Sequence, residues 1–173
     1  MRHESNEKVK LDISDSFYTF EEILEMPYTP NEFLDSIKKS DVLLLPCTNF
    51  RDKEGYFFPE ETYKFYDYLL EKGKENGLNI EICISNDEYN ELELHADVIN
   101  IAKIFVQWVV FPALTSMLAS YLYEKLKHFN RNDINTKVDI SVERNGKAKT
   151  IHYEGNIENF ESAMKSIDEH IFK

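Results

Sequence analysis

Cysteine is nearly absent from this chain: Cys47 and Cys83 are the only two among 173 residues. Two thiols make no disulfide framework, and neither belongs to a CxxC pair or a Cys/His cluster of zinc spacing. Both lie in apolar runs, LLLPC and IEICI, where a thiol usually serves as a small buried hydrophobe. Glycine and proline number five each, which predicts long elements and few elaborate loops. No glycine-rich phosphate loop follows either strand-like run, so dinucleotide-binding and P-loop folds are disfavoured. HxxxH and HExxH are missing, so His95 reads as structural, and the acid-rich 86–97 lacks the spacing and glycine of a calcium loop. No metal or cofactor is implied. The opening MRHESNEKVKLDISDS has no apolar signal core, which points to the cytoplasm, and 1–16 reads as loosely ordered.

Basic charge is scarce in the first half. Residues 1–99 hold 23 acids and 10 bases, a net −13, whereas 100–173 hold 9 and 10, a net +1. An acidic first half lacks the cationic footprint that duplex nucleic acid requires, and direct duplex binding is not expected. It suits a solubilising surface or a face that meets a basic partner.

What is present is aromatic and patterned. Twelve Phe, ten Tyr and one Trp provide the burial that offsets chain entropy, and the length suits one domain, 1–173. FYTFEEILEM (17–26) and TPNEFLDSIKKS (29–40) read as short helices, the second with Thr29 as cap and Pro30 in its first position. DVLLLPC (41–47) reads as a strand buried on both faces. A helix at 59–75, opened by Pro59 with Glu60 and Glu61 at its positive pole, leads to a second strand at 78–85. Strand, helix, strand over 41–85 predicts a parallel βαβ unit. A long helical region from Tyr89 to Phe129 follows, kinked by Pro112 or restarted there. KVDISVERNGKAKTIHYEG (137–155) alternates around Asn145-Gly146, the signature of a hairpin with a type I′ turn. Ile157, Phe160, Met164, Ile167 and Ile171 recur at helical spacing in the last segment. The expected fold is α/β: a small mixed sheet with the parallel unit, a long Pro-kinked apolar helix, and a C-terminal β-hairpin and helix.

The run IFVQWVVFPALTSMLASYLY (104–123) carries no formal charge over 20 residues. At about 1.5 Å per residue a helix of that length matches a bilayer core. Its apolar residues favour insertion by only about −3 to −5 kcal/mol, and Gln107, Pro112, Thr115, Ser116, Ser120, Tyr121 and Tyr123 oppose it. A helix covered by protein is the leading expectation, with Trp108, Phe111, Leu114, Met117 and Tyr121 as interface residues for a protein partner or for self-association. Membrane association through 104–123 is the first alternative. The second is a small ligand-binding domain or enzyme at the turn after the first buried strand, where Cys47, Thr48, Asn49 and Arg51 supply a thiol, a hydroxyl, an amide and a guanidinium. The leading functional expectation is a non-enzymatic regulatory or accessory protein acting through contacts of 104–123.

Overall fold

The computed structural model describes residues 9–50, 52–94, 97–129 and 134–173. In chain order the elements are β1 (Lys10–Asp15), α1 (Phe20–Leu24), α2 (Leu34–Lys38), β2 (Val42–Leu45), β3 (Cys47–Thr48), β4 (Tyr56–Pro59) and α3 (Thr62–Glu75). They continue with β5 (Ile80–Ile82), β6 (Glu91–Leu92), β7 (Val98–Asn100), β8 (Lys103–Gln107), α4 (Phe111–Leu126), β9 (Asn135–Arg144), β10 (Lys147–Asn156) and α5 (Phe160–Lys165). The larger sheet runs β5-β2-β8-β9-β10-β1, with β7 also paired to β9, and β3-β4-β6 form a small second sheet. Pairs β2/β5, β7/β9 and β8/β9 are parallel; β2/β8, β9/β10 and β1/β10 are antiparallel. The fold is mixed α/β with parallel pairs, a C-terminal hairpin and a C-terminal helix, as the pattern predicts.

Local chemistry explains the strongest elements. All four residues of β2 are buried, because Val42 and Leu44 face one core while Leu43 and Leu45 face another. The first core lies between the sheet and α3, α4 and α5; the second lies on the opposite face, under α1, α2 and β4. The hairpin turns through Asn145 at φ 53° and Gly146 at φ 79°, directly between paired Arg144 and Lys147. Two positive φ angles define the type I′ turn, and Asn-Gly is the pair that adopts them at least cost. Strands β7 and β8 form one interrupted strand. From Asn100 to Ile104 is four steps, whereas their partners Lys137 and Ile140 are three apart, so one extra residue bulges out. The bulge sends Ile101 into the first core and Ala102 into the second.

Several expectations require correction. The uncharged run is not one helix: residues 104–107 belong to a central strand, a turn follows, and α4 starts at Phe111. Pro112 does not kink a helix but opens one, as the restart alternative expects. It occupies the first turn of α4, where its missing N–H has no intrahelical partner to lose. The described residues of 89–103 form strands and turns instead of helix. Among the described residues no helix is long and apolar enough to cross a membrane. Lys10–Asp15, expected to be loose, is an edge strand. Pro59 ends β4, so α3 begins three residues later than the pattern suggests. Pro30, in place of Thr29, caps the turn before α2, while the Thr29 hydroxyl donates to the Ile23 carbonyl at 2.5 Å.

Candidate functional site

The turn after β2 does not stay open. Cys47 and Thr48 pair with Phe57 and Tyr56, which makes a small hairpin. Asn49 sits in the left-handed region at φ 53°, donates its N–H to the Gly55 carbonyl at 3.1 Å, and closes that turn. Arg51 and His95 lie outside the described residues. Cys83 is fully buried beside the Thr29 hydroxyl at 3.2 Å, and burial pushes its thiol up to about 11.

The residues expected at an interface are placed mostly in the chain's own core. Phe111, Leu114, Met117 and Tyr121 are all buried there, and Trp108 stacks on Phe111 at 5.5 Å and meets Phe172 edge-on at 5.4 Å. What α4 leaves outside is a narrow, mostly polar stripe, Pro112, Ser116, Ser120, Tyr123 and Glu124, with Val109 exposed in the preceding turn.

That stripe borders a concave feature. Two hollows, of about 530 and 660 Å³, share Tyr121, Lys125 and His128; the first lies between the start of α3, the end of α4 and Val98–Ala102, and the second along the seam of α3 and α4. Tyr121 is wedged against Phe65 and Tyr68, with ring centroids 4.9 and 5.2 Å away. Tyr68 crosses the seam and donates its hydroxyl to the Met117 carbonyl at 3.1 Å. The Lys125 ammonium, on a side chain only 21% exposed, bonds the Glu61 carboxylate and lies 5.6 Å from the Tyr121 ring centroid. This hydrogen bond holds the Glu61 carboxyl below its ordinary range, against the opposing effect of burial. Burial, and then the Glu61 charge, push the Tyr121 hydroxyl up.

The two hollows differ in charge. Glu60, Glu61 and Glu93 line the hollow near the start of α3, together with Lys64. Lys72, Glu124, Ser116, Ser120 and Asn76 line the other. Lys125 and His128 stand between a mainly acidic end and an end where Lys72 is balanced by Glu124.

Sequence reasoning missed how this seam is assembled. Glu61 itself is left-handed, at φ 68°, and does not act as the helix's acidic cap. Glu91 does so from β6, accepting from the Tyr63 N–H at 3.0 Å and the Glu61 N–H at 3.4 Å. The Tyr89 hydroxyl, donating at 2.7 Å, fixes the same carboxylate. The anion therefore meets the helix's positive pole from a distant strand. Among the described residues no cluster of three or more His, Cys, Asp or Glu is arranged to hold a metal. Comparison with protein-family models, curated proteins and solved structures returned no match to this chain.

Proposed function

We propose that this chain is a non-enzymatic regulatory or accessory protein that works by association, and that the α3–α4 seam receives its partner. The observation that carries the reading is the paired hollow meeting at Tyr121 and Lys125, with Glu60, Glu61 and Glu93 concentrated in one hollow and Lys72 beside Glu124 in the other. The buried apolar side chains of α4 support that surface from beneath, since Leu114, Met117, Leu118 and Leu122 are committed to the first core. Tyrosine and methionine at the seam are the residue types that interfaces favour, because they bring large contact area with few rotatable bonds. The partner segment that fits is a protein strand or helix with acid opposite Lys72 and base opposite Glu60 and Glu93.

A photo-crosslinking side chain at Ser120, on the groove wall, is the test, with the same group at Lys147 in the hairpin turn as control. Discrete adducts from position 120 alone, abolished by Lys72→Glu, are expected. Equal adducts from both positions, or adducts indifferent to Lys72→Glu, would overturn the reading.

A further inference from the structure

The sheet ends at β1, and among the described residues no strand pairs with its outer edge. The phase of β1 follows from one hydrogen bond. Ser16 donates its N–H to the carbonyl of Ala148, directly opposite, at 3.1 Å. In an antiparallel pair, residues that exchange bonds alternate with residues that do not. Lys10, Asp12 and Ser14 therefore point their backbone groups at β10, while Leu11 and Ile13 point theirs at the free edge. Val9 continues the strand opposite Gly155, where its Cα lies 3.2 Å from the place a glycine Cβ would take.

The side chains of β1 divide the same way. Leu11 packs on the first core, and Val9 and Ile13, on its face, are 40% and 42% exposed. Lys10 and Asp12 share the opposite face, their charged groups 3.6 Å apart. Such a strand can accept another, and its own sequence is the complement it fits. A two-fold axis through Leu11 opposes Leu11 with Leu11 of the second copy, Val9 with Ile13, and Lys10 with Asp12. Within 9–13 every apolar residue then meets an apolar one, and both charges meet their opposites; Asp15 falls opposite position 7, a glutamate in the sequence, outside that stretch. The residues brought into bonding register, 9, 11 and 13, are those with outward-facing N–H and C=O groups. The neighbouring registers lose this match. Centring on Asp12 opposes two carboxylates, centring on Lys10 opposes two ammonium groups, and centring on Ile13 sets Leu11 against Asp15.

We propose that β1 is a homodimerisation strand, pairing antiparallel with β1 of a second copy in the register centred on Leu11 and joining two sheets into one. This contact is separate from the α3–α4 seam and does not depend on it. Strand addition of this kind takes its affinity from main-chain bonds and its register from the flanking side chains. A contact so narrow belongs with small, reversible interfaces.

Sedimentation velocity from about 1 µM to about 1 mM reads the association directly. The mass of the native chain should climb from 20.4 kDa toward twice that value. Ile13→Pro removes an outward N–H without touching the β10 ladder and should leave a monomer throughout. Asp12→Lys should weaken the dimer at least tenfold, and the swapped pair Lys10→Asp with Asp12→Lys should restore it. Lys10 and Asp12 are 62% and 59% exposed, so the swap stays readable even if the proline variant fails to fold. A native chain that remains monomeric over the whole range would overturn the proposal and leave Lys10 as a charge guarding a bare edge. So would a dimer indifferent to all these changes. Loss of the dimer in Asp12→Lys without rescue by the swap would overturn the Leu11-centred register.

Discussion

Replacing Gly73 by alanine sets two effects of similar size against each other. In an exposed helix interior the change is favourable by up to about 1 kcal/mol, because glycine has more backbone freedom to lose. Gly73 is buried near the end of α3, however, where an added Cβ would lie 2.5 Å from Ile80 Cδ1 and 3.1 Å from Ile80 Cγ1. Ile80 is itself only 4% exposed and paired with Val42, so its ethyl group has little room to swing away. Overpacking of this kind costs about 1–3 kcal/mol. The clash wins, and Gly73→Ala should destabilise by about 1 kcal/mol. For a chain of this length that lowers Tm by about 2–4 °C. Ile80→Val alone should cost about 0.5–1.5 kcal/mol. Together the two should cost less than their sum, by about 1 kcal/mol or more, because the valine lacks the atom at 2.5 Å. Urea titration of the four proteins measures that coupling. A stabilised Gly73→Ala, or strict additivity, would refute the close approach of α3 to β5 and with it the position of one groove wall.

Leu114→Ala should cost about 3 kcal/mol by thermal or urea melting, since Leu114 is fully buried, while Val109→Ala, at an 86% exposed position, should change stability by less than about 0.5 kcal/mol. Glu61→Gly should be more stable than Glu61→Ala by about 1 kcal/mol: both lose the bond to Lys125, but only alanine keeps the side-chain cost of φ 68°. Burial alone would lower the His152 pKa, but the hydrogen bond and charge of Asp139 at 2.6 Å, with Glu154 at 3.4 Å, raise it above its ordinary value. A raised folded-state value contributes stability that is complete below the unfolded pKa of about 6.5 and lost as pH rises through the folded one. Melting curves should therefore lose stability as pH climbs above about 6.5, and Asp139→Asn should flatten that part of the profile.

The parts of the fold that were legible in the sequence are those whose signal is local. Asn145-Gly146 names its own turn, and the four apolar residues of β2 name a strand covered on both sides. The run 104–123 misled because a fully buried strand and a buried helix are both apolar on every side, and periodicity cannot separate them. Ile104, Phe105 and Val106 are all buried, two of them in one core and the third in the other. β1 was missed although KLDISD alternates polar and apolar residues for most of its length; its flanking charges made it read as a frayed end. The groove was not legible. Glu61 and Lys125 stand 64 positions apart, and Glu91 reaches a helix that begins 29 residues before it, so the topology alone brings them together.

The two proposed contacts have a geometric relation that can be tested. α3 packs against β5 at one edge of the sheet and α5 against β10 near the other, with α4 between them. The α3–α4 seam therefore lies toward the β5 edge, away from β1. Pairing through β1 leaves both seams of the dimer accessible and related by its two-fold axis. Each copy then binds independently, and a partner carrying two matching segments gains from the second without any new contact, by raised effective concentration. The separation predicts that Ile13→Pro removes the dimer while leaving the Ser120 crosslink to a single-segment partner unchanged. Conversely, Lys72→Glu should remove the crosslink while leaving the sedimentation profile unchanged. Loss of both properties in either variant would mean that the edge and the seam are one coupled surface.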